Sequence, residues 1–250
     1  MATVGWVFDL DGVLWRGPEP IPGAGAAVGA LVDSGAPVLF VTNMSGNPVT
    51  SVEAKLAAMG VDAAGRVVTS AMAAARLVEP GERVLACAGP GVVEELERRG
   101  AVVVAAGPAD VVMVGYHREF DYERLTLAMR AVRGGARLIG TNDDATYPTD
   151  EGLLPGNGSL LAAVVTASGA VPEIAGKPHE PMAALVRNRL GPAGIVVGDW
   201  PDTDGGFART LGYRFALVLT GVTGVADLPV TPEPDLVAED VAAAIRLMRA

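Results

Sequence analysis

Short runs of aliphatic and β-branched residues alternate along the chain with longer Ala- and Leu-rich stretches of helical period. That alternation is the pattern of βα units building a parallel sheet, in which buried strands read as continuous apolar runs and crossover helices as amphipathic stretches. The runs ending at Phe8, Val41, Val114, Gly140, Gly198 and Leu219 are predicted strands. Val52 to Met59, Val92 to Arg99, Tyr122 to Arg133, Ser159 to Ala167 and Met182 to Leu190 are predicted helices, so the fold class is α/β.

Four of the strands run straight into polar residues: Asp9, Thr42-Asn43, Asp199 and Thr220-Gly221. In an open parallel sheet ligands bind at the carboxyl ends of the strands, so residues distant in sequence can converge on one crevice there. The intervals are uneven. Thr42 follows Asp9 at about one βα repeat, whereas Lys177 lies far beyond Thr42. The intervening segment has strand and helix signals of its own and is bracketed by Pro80-Gly81 and Gly169 to Pro172. It therefore predicts a second, smaller α/β domain over 80–172, inserted into a core made of 1–79 and 173–250, with two linkers that would permit hinge motion.

Composition narrows the partners. Of 250 residues, 19 are basic and 29 acidic, a formal net charge of −10, which disfavours nucleic acid. Hydrophobic residues make up 50% and charged residues 19%, enough apolar surface for a folded core and too little charge for a disordered chain. One cysteine, Cys87, can form neither an intrachain disulfide nor a CxxC metal framework, which points to a reducing compartment. The start, Met1-Ala2-Thr3-Val4-Gly5-Trp6, has no basic leader region, and no apolar run reaches the ~18 residues of a spanning helix. The expected location is the cytoplasm, away from membranes.

Four segments carry candidate chemistry. In Asp9-Leu10-Asp11-Gly12 an extended chain would point both carboxylates the same way, and like charges so close need a cation or a proton; hard oxygen donors suit Mg²⁺. An ordinary Asp-Gly turn is the other reading. Gly198-Asp199-Trp200-Pro201-Asp202-Thr203-Asp204 brings further carboxylates to a strand end, with a helix-capping role open for Asp202 or Asp204. Thr42 and Asn43 offer a hydroxyl, an amide and backbone N–H groups for a phosphate, or a plain helix cap. Lys177 in Gly176-Lys177-Pro178 is either a solvated loop lysine or an ammonium offsetting carboxylate and phosphate charge. His117 and His179 read as surface-loop residues, and Glu94 to Glu97 as a solvated helix face. Gly23-Ala24-Gly25 with Gly29, and Gly89-Pro90-Gly91, read as loop-to-helix turns rather than dinucleotide fingerprints.

In their order, Asp9-Leu10-Asp11-Gly12, Val41-Thr42-Asn43, Gly176-Lys177-Pro178 and Gly198-Asp199 to Thr203-Asp204 resemble the four motifs of the haloacid dehalogenase-like phosphohydrolases. Ile21 to Ala24, Thr69-Ser70, Gly140 to Asp143 with Tyr147-Pro148, Pro155 to Ser159 and Leu219 to Val222 resemble the NagD-like branch, which holds p-nitrophenyl, phosphoglycolate and pyridoxal phosphatases. The resemblance implies a Rossmann-like parallel-sheet core with an inserted α/β cap domain. It implies a Mg²⁺-dependent phosphatase that hydrolyses a small phosphomonoester through an aspartyl phosphate. A phosphomutase of the same fold and a non-catalytic phosphate-binding regulator are the alternatives. By the same resemblance Asp9 is the nucleophile, Asp11 the general acid and base, and Thr42, Asn43 and Lys177 hold the phosphate. Asp9, the Asp11 backbone carbonyl and Asp199 would hold Mg²⁺, with Asp204 and Asp202 in support. Asn142, Asp143 and Tyr147 would meet the leaving group, and the cap would form a homodimer contact. Met44 and Trp200-Pro201 depart from the usual pattern of the branch.

Overall fold

The structure, a computed structural model, describes residues 4–149 and 152–249; Met1 to Thr3, part of the start read for a leader, lie outside the described residues. The chain divides into two compact units. The first comprises residues up to Thr42, Thr50–Val68 and the chain from Lys177 onward; the second comprises Asn43–Val49 and Thr69–Gly176.

The first unit is built on a six-stranded sheet in the order Leu236–Ala238, Arg214–Val218, Gly194–Gly198, Gly5–Phe8, Val38–Thr42, Val67–Thr69. The central pairings are parallel, with Phe8 opposite both Val197 and Phe40, and Gly198 opposite Leu217. This register brings the residues after Phe8, Phe40 and Val197 to one edge. The three central strands are buried along their whole length, as expected where helices cover both faces. Trp6 and Phe8, two positions apart and therefore on one face, stack with ring centroids 5.9 Å apart. Phe8, Phe40, Phe207 and Phe215 are wholly buried, each contributing about 1.5–3 kcal/mol from burial.

The second unit has its own parallel sheet, ordered Glu173–Ile174, Arg137–Gly140, Val111–Val114, Arg83–Cys87, Val102–Val104, and a hairpin of Thr146–Thr149 with Gly152–Pro155. Its core joins Leu85, Cys87, Val112, Val114 and Leu138 to Ala128 and Val132 of helix Tyr122–Arg133 and Leu161 and Val164 of helix Asn157–Ser168. Any side chain at Gly140 would collide with Leu161, so glycine lets that helix sit close to its strand.

The division falls at 68/69 and 176/177 rather than at 79/80 and 172/173. Pairing of Glu173–Ile174 with Arg137–Gly140 carries the chain past Pro172 into the second sheet, and helix Ser70–Ala75 packs on helix Pro90–Arg99. Two of the plainer expectations also change. His117 is half-buried, with Nδ1 3.1 Å from the Gly115 carbonyl and its ring edge against Phe120. Glu95 is buried and accepts from Arg98 at 2.8 Å, so only part of the Glu94 to Glu97 face is solvated. Among the described residues no helix is long and apolar enough to cross a membrane.

Cys87 is fully buried, and desolvation pushes its thiol up to about 11, the nearby Arg124 charge opposing this only in part. Because the thiolate is the nucleophile, the folded protein at pH 8 should react with iodoacetamide at least about 100-fold more slowly than the urea-unfolded chain, the rate rising as pH approaches 11. Mass spectrometry of alkylated Cys87 measures both rates.

Candidate active site

Asp9 is the first residue beyond the strand Gly5–Phe8, and its N–H still donates to Val197 O at 2.9 Å, so sheet pairing fixes where its side chain starts. The chain then turns sharply. Leu10 O accepts from Leu14 N at 2.8 Å and from Val13 and Trp15 N at 3.3 Å, while Gly12 N donates to Trp15 O at 2.7 Å. Gly12 has φ 81°, and a Cβ there would collide with the Asp199 carboxylate; glycine is required by both conformation and space. Asp11 lies two positions beyond Asp9, and its carboxylate accepts from the Trp15 indole, Nε1 to Oδ1 3.0 Å; it is not one of the three carboxylates that crowd together in the site.

That cluster consists of Asp9, Asp199 and Asp204, whose carboxylate oxygens can all lie within 4.8 Å of one another. Asp199 follows the buried strand Gly194–Gly198, and the next residues form a single π-helical turn, Pro201–Gly205, of the kind found at functional sites. The turn carries Asp204 back so that its Oδ2 accepts from the backbone N–H groups of Asp199 and Trp200, each at 3.2 Å. Asp202 is exposed, which separates it from the buried Asp204. Asp199 Oδ2 accepts from Val222 N at 2.6 Å, drawing the loop after strand Arg214–Val218 into the site.

Lys177 ties the group together. Its ammonium donates to Asp9 Oδ1 at 2.6 Å and to Asp204 Oδ1 at 2.7 Å, and the side chain is only 3% exposed. Three carboxylates and one ammonium leave two uncompensated negative charges where little water can screen them. Burial and the neighbouring Asp204 accordingly push Asp199 up to about 7. Desolvation raises Asp9 well above the carboxylate range despite the attraction of Lys177, and Asp204 and Asp199 add to the rise. Burial alone would lower Lys177, but Asp204 and Asp9 outweigh it, so its ammonium is held protonated. Asp11 is raised by burial, with the Trp15 hydrogen bond and the charges of Lys55 and Lys177 opposing. A cluster of hard oxygen donors short of two positive charges fits a divalent cation such as Mg²⁺.

Thr42, buried, closes the strand Val38–Thr42 next to Gly5–Phe8. The first unit thus brings Asp9, Lys177, Asp199 and Asp204 together, with Asp11 and Thr42 at the same sheet edge. Asn43, Asn142, Asp143 and Tyr147 belong to the second unit. There Asn142 is buried, donating from Nδ2 to Asn43 O at 2.7 Å and accepting at Oδ1 from Asp144 N at 3.2 Å. Asn43 Nδ2 donates to Asp144 Oδ2 at 2.9 Å. Tyr147 packs its ring on Tyr116, centroids 5.6 Å apart, and Asp143 is exposed.

Sequence reasoning missed Trp15 and Lys55. The Lys55 Nζ stands 3.9 Å from the Trp15 ring centroid and donates to Gly17 O at 2.8 Å. The available signal was a tryptophan four residues beyond Asp11 with a short apolar run between them.

Gly221 leaves no room beside Asp199: a Cβ would overlap the carboxylate. Gly221→Ala should therefore move Asp199 or its loop, at a cost of about 1–3 kcal/mol in urea unfolding with an unchanged m-value.

Comparison with known proteins identifies the family. A haloacid dehalogenase-like hydrolase family model matches residues 6–102, and a second, HAD-hydrolase-like, matches 174–244. The acid sugar phosphatase of Staphylococcus aureus is 35% identical over 230 residues, covering 89% of both chains. A p-nitrophenyl phosphatase from Archaeoglobus fulgidus superposes with a TM-score of 0.91 at 28% identity, covering 99% of this chain and all of its own. The glycerol phosphate phosphatase of Mycobacterium tuberculosis, solved in complex with magnesium, gives a TM-score of 0.86 at 34% identity over 98% of this chain and 76% of its own. With the sheet order, the carboxylate cluster and these likenesses in agreement, the chain belongs to the haloacid dehalogenase-like hydrolases, within the group that holds these phosphatases.

Proposed function

We propose that the protein hydrolyses small phosphomonoesters in two steps through an aspartyl phosphate on Asp9, with Mg²⁺ as cofactor. The observation that carries this reading is the buried Lys177 ammonium bridging Asp9 and Asp204 beside Asp199. In that frame the Asp9 carboxylate is fixed by one oxygen, which leaves the other to attack phosphorus in line with the departing oxygen. The Asp9 O–P bond forms as the P–O bond to the leaving group breaks, and the proton of Asp11 goes to the departing alkoxide. Asp11, now a carboxylate, takes a proton from the water that attacks the aspartyl phosphate, restoring Asp9 and releasing inorganic phosphate.

Lys177 and the Thr42 hydroxyl donate to the phosphoryl oxygens, where charge spreads in the transition state. Asp204 keeps the Lys177 ammonium charged and in place. Held by the carboxylates of Asp9 and Asp199 and the Asp11 backbone carbonyl, Mg²⁺ would neutralise phosphoryl charge and the two excess negative charges of the cluster. For the leaving group we propose the second unit, with Asp143 and Tyr147 as contacts and Asn43 and Asn142 holding the loop that bears them. The neighbours' names make sugar and glycerol phosphates the first substrates to test. The first unit would then be the catalytic core and the second the cap. The lone buried thiol fits a cytoplasmic protein. A homodimer through the second unit would appear in light scattering as twice the chain mass.

Asp9→Asn should reduce phosphate release by at least about 10⁴-fold while the unfolding midpoint stays within a few degrees; a variant that kept turnover would remove Asp9 from the chemistry. Wild-type turnover of glycerol 3-phosphate should be about 1 s⁻¹ or faster with Mg²⁺ and vanish with EDTA, returning on Mg²⁺ addition. Phosphate found on a second hydroxyl instead of in solution would make the enzyme a mutase.

A further inference from the structure

We propose that Trp15 is a positioning residue for proton transfer by Asp11, holding the carboxyl group so that its transferable proton sits on Oδ2. The inference rests on the two-step reading above and deepens it. A carboxyl group turns easily about its last torsion and can carry its proton on either oxygen. An indole N–H can only donate. Trp15 Nε1 donates to Asp11 Oδ1 at 3.0 Å, and since the carbonyl oxygen of a carboxyl group is its better acceptor, this bond favours Oδ1 as the carbonyl and places the acid proton on Oδ2. One contact thereby selects both the rotation of the group and the oxygen that works.

The indole can do this because it is held on several sides. Trp15 is 4% exposed. Its backbone closes the Asp9–Trp15 turn through Gly12 N to Trp15 O at 2.7 Å and a bridge pairing with Asp11 itself. The Lys55 ammonium lies 3.9 Å from the ring centroid, within cation–π range, and is tethered to Gly17 O at 2.8 Å. Clamp and clamped residue are thus parts of one five-residue turn, while the lysine fixing the ring comes from helix Val49–Ala58. Neither Trp15 nor Lys55 needs to touch substrate.

Trp15→Phe keeps the ring and removes only the donor. The test compares two substrates in the Mg²⁺-loaded enzyme. An alkyl phosphate such as glycerol 3-phosphate needs its leaving alkoxide protonated, whereas p-nitrophenolate departs without help. We expect kcat/KM for glycerol 3-phosphate to fall at least about tenfold more than kcat/KM for p-nitrophenyl phosphate. Because Asp11 also serves the water step, the variant should show a burst of one nitrophenolate per active site before a slower steady state. Trp15→Phe added to Asp11→Asn should cost nothing further, since the group it positions is gone.

Equal losses on the two substrates, no loss, or a full additional loss in the double variant would overturn the positioning role. Failure of the underlying reading looks different: Asp9→Asn would then stay active, or Asp11→Asn would itself lack the substrate split. Thermal unfolding checks that Trp15→Phe is folded. If it is not, Lys55→Met, which leaves the indole in place but frees its ring, should show the same substrate split at smaller size, and its absence there also overturns the proposal.

Discussion

The site is organised by one buried ammonium that has to be shared. Lys177 reaches Asp9 and Asp204 at once, and its ammonium offsets part of the negative charge buried there. Yet one ammonium cannot neutralise three carboxylates, so the first unit holds a cluster that is electrostatically unfinished. In a structural ion pair such a deficit would be removed by substituting apolar residues. Here the deficit matches a divalent cation such as Mg²⁺.

The backbone around that lysine is shaped to let carboxylates crowd. Gly12, Gly198 and Gly221 each lie where a side chain would overlap Asp199 or Asp204. Backbone N–H groups of Asp199, Trp200 and Val222 donate into the same two carboxylates, adding favourable dipoles where side-chain cations have no room. Parallel strands place the starting points. Phe8 pairs with Val197 and Phe40, so the residues that follow emerge side by side without any loop having to find the others. Asp9, Thr42 and Asp199 take their positions from sheet register, and turns carry the chain on to Asp204.

That division explains what could be read from the sequence. Strands ending at Phe8, Val114, Gly140 and Gly198 and the helix Tyr122–Arg133 match the structure to the residue, because each is a clean apolar run or period bounded by polar residues or glycine. Helix Ala24–Asp33 was hidden by its glycines, which read as a turn, although Val28, Leu31 and Val32 keep helical spacing. Convergence of Asp9, Lys177, Asp199 and Asp204 was legible from strand-end placement and motif resemblance. The hydrogen bond from the Trp15 indole to Asp11 was not, since it depends on the turn made at Gly12, three residues beyond Asp9. Trp15 and Lys55 escaped because aromatic and lysine side chains carry no motif until a fold sets one over the other. The unit boundary moved for a similar reason: Glu173–Ile174 is too short to register as a strand, but pairing makes it one.

The two units also differ in how they keep polar groups out of water. Around Asn43 and Asn142 the second unit uses neutral amides and hydroxyls as well as Asp144. Ser70 Oγ and Asn142 Nδ2 both donate to the Asn43 carbonyl, and Ser45 meets Thr141 at 2.9 Å. Most of that network pairs dipole with dipole, with the buried Asn157 Oδ1 left without a hydrogen-bond partner. The first unit pairs charge with charge and is complete only with something bound. A hydrolase of phosphate esters gains from this asymmetry. The unit proposed to meet the anion common to every substrate is the one that carries uncompensated charge. The unit proposed to face varied leaving groups relies mainly on neutral hydrogen bonds, with Asp143 exposed and Tyr147 half-buried against Tyr116.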